Sequence, residues 1–103
     1  MLNADVGFVI RSYHDVIEIF LTTIQQLVVR KNDVVINNIY LPNVRPIFIH
    51  DLCVSYNKNQ HKFTIYIDEV KYLEFLQPIS HESHVDLYFS NGYTIFEFLF
   101  ICN

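Results

Sequence analysis

Asn91-Gly92 stands between two runs of alternating apolar and polar residues, 85–90 and 93–101. Asn-Gly is the strongest short-range signal for a two-residue hairpin turn, because both turn positions need a positive φ that few other residues tolerate. The expected register sets Ser90 opposite Tyr93, Tyr88 opposite Ile95 and Asp86 opposite Glu97. One face then carries Val85, Leu87, Phe89, Phe96, Phe98 and Phe100 and belongs to a core. The other carries Asp86, Tyr88, Ser90, Tyr93, Ile95, Glu97 and Leu99.

Upstream, further strand signals share this period of two. Residues 34–41 read as a strand ended by Pro42-Asn43, and Pro46 permits only a short or edge strand at 47–49. Leu52, Val54 and Tyr56 alternate with Cys53 and Ser55. Phe63, Ile65 and Ile67 alternate with Thr64, Tyr66 and Asp68. The polar stretch at 57–61 between them makes a hairpin with a loop of about five residues.

Residues 12–30 read differently. Tyr13, Val16, Ile17, Phe20, Ile24, Leu27 and Val28 recur at spacings of three and four, the signature of one helix face. Ser12 suits the N-cap, Asp15 the positive helix end, and Arg30 and Lys31 the negative end. Val70, Leu73 and Leu76 also have helical spacing, which favours a short helix between Asp68 and Pro78 over a strand. The expected fold is therefore α+β: one domain over residues 1–103, with a long N-terminal helix packed on a mostly antiparallel sheet of about five strands and a second short helix.

Composition supports a single packed domain. The 103 residues are 51% hydrophobic and only 17% charged, too apolar for a disordered or coiled-coil chain. Just two glycines occur, which excludes Gly-rich phosphate loops. The net charge of −4 argues against nucleic acid as a partner, since such binders need a cationic surplus. The charge is uneven. Residues 1–50 hold four Lys/Arg against four Asp/Glu, whereas residues 51–103 hold three against seven. The aromatic-rich C-terminal run contains no Lys or Arg, so its phenylalanines read as core rather than as a base-stacking platform.

No motif for a cofactor, metal or nucleophile emerges. Cys53 and Cys102 form no CxxC pair, and Cys53, inside an apolar run, reads as a buried free thiol. The N-terminus lacks the pattern of a secretory signal, and the longest apolar passage, 16–29, is broken by Glu18 and neighbouring polar residues and falls short of a membrane span. A cytoplasmic setting follows, with no membrane association. His81 and His84 flank Glu82 after Pro78, where an exposed loop is a plainer reading than a metal site. His50-Asp51 lacks a nucleophile to complete a relay.

Function is then expected to lie in binding rather than catalysis. Asp86 and Glu97, opposed on one face, would repel unless a cationic partner offset them. Tyr88, Tyr93 and Ile95 would supply the desolvated anchors. The plainer reading is that both carboxylates splay into water. The expected role is a small acidic inhibitor or immunity-type protein that blocks a basic toxin, nuclease or host enzyme. The alternative is a homodimeric chaperone-like or structural protein whose sheet edge or broad apolar stripe continues across a two-fold interface.

Overall fold

Val6–Ser12 (β1) and Asp15–Leu21 (β2) run antiparallel, with Phe8 opposite Ile19 and Ile10 opposite Ile17. They begin an all-strand computed structural model that describes residues 6–12, 14–22, 24–44, 51–79, 84–89 and 98–102. The remaining strands are Gln26–Lys31 (β3), Val34–Tyr40 (β4), Asp51–Asn57 (β5), Lys62–Ile67 (β6), Val70–Leu76 (β7), His84–Phe89 (β8) and Phe98–Cys102 (β9). They form a five-stranded sheet in the order β4-β3-β2-β1-β8 and a four-stranded sheet in the order β7-β6-β5-β9. All pairings are antiparallel except that of β5 with β9.

The two sheets share one core. Phe8, Ile10, Ile17, Ile19, Leu21, Leu27 and Val29 from the first pack with Leu52, Val54, Phe63, Ile65, Ile67 and Phe75 from the second. The α+β expectation is thus overturned: a second sheet, not a helix, covers the apolar face, and no helix occurs among the described residues. No helix there is long and apolar enough to span a membrane.

The long helix expected at 12–30 is instead β2, a turn and β3. Its supposed single face is divided: Ile17 and Leu27 point into the core, Phe20 and Val28 are buried outside that core cluster, and Ile24 is 65% exposed in the turn. The stretch is so rich in apolar residues that helical and strand periods both fit it. The β-branched Val16, Ile17, Ile19, Val28 and Val29 then favour the extended form, since a helix restricts their χ1 rotamers. Thr22 closes the turn, donating its N–H to the Gln26 carbonyl (2.8 Å) while its hydroxyl accepts from the Gln26 N–H (3.0 Å).

The short helix expected at 68–77 is also a strand, β7. Asp68 and Glu69 both adopt positive φ (48° and 69°) and make the tight hairpin turn from β6 without a glycine. Phe75 then faces Phe63 and Leu73 faces Ile65. The β5–β6 hairpin forms where the alternation places it, with Val54 opposite Ile65 and Tyr56 opposite Phe63. The strand β1 has no counterpart in the sequence expectation.

The C-terminal segment differs in its partners. β8 pairs with β1, and Phe98 and Leu99 of β9 pair with Asp51 and Leu52 of β5 in the other sheet. The Asn91-Gly92 turn, Pro46 and the strand expected at 47–49 lie outside the described residues.

Cys53 corrects another expectation. It is 6% exposed and disulfide-bonded rather than a free thiol. The sequence contains one other cysteine, Cys102, which the backbone register sets beside Ser55 on the adjoining strand. Denatured but unreduced protein should therefore take up no thiol reagent, and full labelling should appear only after reduction. Labelling before reduction would refute the bond.

Candidate functional site

β4 lies at one end of the five-stranded sheet and carries the sequence VVINNIY, without a charge or a proline. Val34, Val35, Ile36 and Tyr40 are exposed by 63%, 52%, 42% and 60%. End strands present a row of backbone N–H and C=O groups that another chain can pair with, and most proteins blunt them with charge, proline or twist. Among the described residues the one such device is a register shift between Val29 and Arg30: Val29 pairs with Asn37, and Arg30 with Val35. Ile36 is the extra residue, so apolar side chains reach both sides of the strand.

Local chemistry holds this edge in place at both ends. Asn32 and Asp33 take positive φ (51° and 66°) and reverse the chain from β3 into β4. The Asn32 Oδ1 accepts the Val16 N–H (2.8 Å), and its Nδ2 donates to Asp15 Oδ1 (2.9 Å), which ties the turn to β2. At the far end the Leu41 N–H donates to the Gln25 carbonyl (2.8 Å). Gln25 Nε2 reaches the carbonyls of Leu41 (3.1 Å) and Val44 (2.5 Å), so buried Leu41 and Val44 anchor the exit. Ile24, in the turn before β3, is exposed, and Tyr40 pairs with Gln26.

β7, at one end of the other sheet, is managed in the usual way. Lys71 Nζ donates to Glu74 Oε1 (2.8 Å), and Lys62 Nζ lies 3.6 Å from Glu74 Oε2. The hydrogen bond from Lys71, with the Lys62 charge behind it, holds the Glu74 carboxyl below its ordinary range, and the same bond raises Lys71. Stability from Glu74 is therefore present above its unfolded pKa and lost as pH falls through the lowered folded value. Stability from Lys71 is present below its unfolded pKa and lost as pH rises through the raised one. Because both groups are solvent-exposed, Glu74→Gln should shift the urea midpoint little at neutral pH and flatten its decline on the acid side. A steep acid decline that persists unchanged would show that Glu74 is not its source.

The residues singled out from sequence sit elsewhere. Asp86 and Tyr88 lie on β8, at the opposite end of the same sheet from β4, in register with Val9 and Gly7 of β1. Tyr93, Ile95 and Glu97 lie outside the described residues, and so does the opposition of Glu97 to Asp86. The Asp86 register continues through Val9 to Glu18 and Arg30. Glu18 Oε2 accepts from Arg30 Nη2 at 2.7 Å, and the Arg30 guanidinium lies 4.9 Å above the Phe20 ring. His50, His81 and Glu82 are outside the described residues, whereas His84 opens β8 opposite Arg11. Among the described residues no group of three or more His, Cys, Asp or Glu could hold a metal ion.

The sequence reading identified β4 as a strand but not as a binding edge. Its signal was present: between Asp33 and Pro42 no residue is charged, and Val34, Val35 and Ile36 stand in a row, which departs from the period of two expected there. No family model matches the chain, and neither curated proteins nor solved structures give a match.

Proposed function

We propose that this is a non-enzymatic protein-binding domain that takes an extended, uncharged segment of polypeptide onto β4 by strand addition. The observation that carries the reading is the exposed, charge-free strand Val34–Tyr40 at the end of a sheet. Backbone hydrogen bonds would supply affinity, and the exposed Val34, Val35, Ile36 and Tyr40 side chains, which reach both sides of the strand, would select apolar residues on both faces of the ligand. A charged ligand strand would lose hydration against these side chains without finding a counter-charge.

The test is selection from a displayed library of random linear peptides on the native protein. Enriched peptides should be rich in uncharged, apolar residues and bind the Val35→Lys/Ile36→Lys variant at least about tenfold more weakly, a loss of roughly 1.4 kcal/mol. Both substituted side chains are exposed, so the variant should keep its far-ultraviolet spectrum and melting temperature. Peptides that bind both proteins equally would refute β4 as the site.

A second reading, an acidic inhibitor docking through β8, is supported by Asp86 and Tyr88 standing two positions apart on that strand. Asp86→Lys would then weaken salt-sensitive binding of polylysine more than Asp33→Lys does, and equal losses would count against it. The disulfide at Cys53 favours an oxidising compartment over the cytoplasmic setting expected from a free thiol.

A further inference from the structure

We propose that β8 and β9 form a clasp across the two sheets whose lock is the disulfide at Cys53. A dithiol that reduces this bond releases β9 from β5 and leaves the rest of the fold standing. This inference does not rest on the β4 reading.

Connectivity is the first argument. β1 to β4 follow one another in sequence and in space, each pairing antiparallel with the next, and so do β5 to β7. The described core residues come from these two meanders and from Leu41 and Val44 between them. β8 and β9 are added singly, β8 beside β1 in one sheet and β9 beside β5 in the other. A strand added at the end of a finished meander can leave it without parting any other pair.

The pairing of β9 is the second. It stands at the end of the four-stranded sheet and meets β5 over five residues, Asp51–Ser55 against Phe98–Cys102. This is the parallel pairing of the fold, a kind slightly less stable per residue than the antiparallel. Its two strands are distant in sequence, so forming it must also overcome the entropy of closing a long loop. The disulfide removes that cost. Cys53 is disulfide-bonded, Cys102 is the one other cysteine, and the two lie on adjoining strands two register positions apart. Closing so long a loop covalently strips most of the freedom from the open state. With the bond cut, β9 keeps only a short pairing at a sheet end, the class of element that opens locally before the whole fold does.

Location is the third. Cys53 is buried, yet it stands outside the core cluster that holds its neighbours Leu52 and Val54. Side-chain alternation therefore puts Cys53 on the outer face of its sheet, where the bond can be cut without opening the core between the sheets. The exchange runs through a mixed disulfide. The dithiol passes two electrons and two protons to the bond, leaves as its own disulfide, and Cys53 and Cys102 remain as thiols.

Residue-resolved hydrogen exchange on the native protein, with and without dithiothreitol, tests the clasp. After reduction, the amides of 98–102 and the alternate β5 amides that point toward β9 should exchange at least about tenfold faster. The other β5 amides, which point toward β6, should stay protected, and amides of β2, β3 and β6 should keep their rates. Cys102→Ser supplies the unlocked state without a reductant. It should show the same pattern, and its Cys53 should react with a thiol reagent under native conditions.

A disulfide that dithiothreitol cannot reduce in the native protein would overturn the switch. So would unchanged exchange once the bond is cut, since β9 would then hold without its lock. Acceleration in every strand alike would overturn it as well, because the disulfide would then support the whole fold rather than one strand.

Discussion

Phe63→Ala is expected to destabilise the fold by about 3–5 kcal/mol, the range for removing a fully buried phenylalanine. Phe63 is 2% exposed and lies on β6, an interior strand of its sheet. Its ring stacks on Phe75 at 5.1 Å with an interplanar angle of 15°, and its centroid is 4.6 Å from that of Tyr56. Truncation would remove these contacts and open a cavity between neighbours that sit on paired strands and cannot collapse freely. Small domains have only about 5–15 kcal/mol of net stability, so the loss consumes a large share of it. Urea unfolding would show a lower midpoint with little change in slope. A loss under about 1 kcal/mol would remove Phe63 from the centre of the core.

The second large effect is expected at Gly7. A Cβ built there would overlap the Ile19 carbonyl and the Phe20 Cα, which are backbone atoms of the neighbouring strand. They cannot move aside unless β1 parts from β2. β1 is held on both flanks, with Gly7 opposite Phe20 on β2 and Tyr88 on β8. Gly7→Ala and Gly7→Val should therefore both destabilise by about 3 kcal/mol, the upper end for overpacking. The sign is diagnostic. At an ordinary strand position, replacing glycine by valine adds β-propensity and tends to stabilise. The two variants should lose similar amounts because the clash begins at Cβ itself. A stable Gly7→Val protein would show that β1 and β2 do not approach this closely.

Gly7 also illustrates what the sequence hides. A lone glycine inside an apolar run can mean close backbone approach, a bulge or a turn, and only the neighbouring strand decides among them. Val16 to Val29 is a related case: with apolar residues at nearly every spacing, the run satisfied the helical template as well as the strand one. At β7 the hairpin turn is Asp68-Glu69, whose positive φ values are unusual without Gly or Asn, so local turn chemistry pointed to a helix cap instead. The candidate edge was legible as a strand from its composition. Its position at the end of a sheet, which makes it a docking candidate, was not.

By itself the sequence determined that the chain is apolar enough for one packed core. It also identified β4, β5, β6, β8 and most of β9 as strands and gave the alternation of the β5–β6 hairpin. Those properties are local, because side-chain alternation reports strand and face within a few residues. Tertiary structure alone decided that a second sheet covers the first, that β8 joins β1 while β9 joins β5, and that β4 is left at an edge. Strand partnership depends on burying both apolar faces at once through contacts distant in sequence, and no short window of residues contains that information.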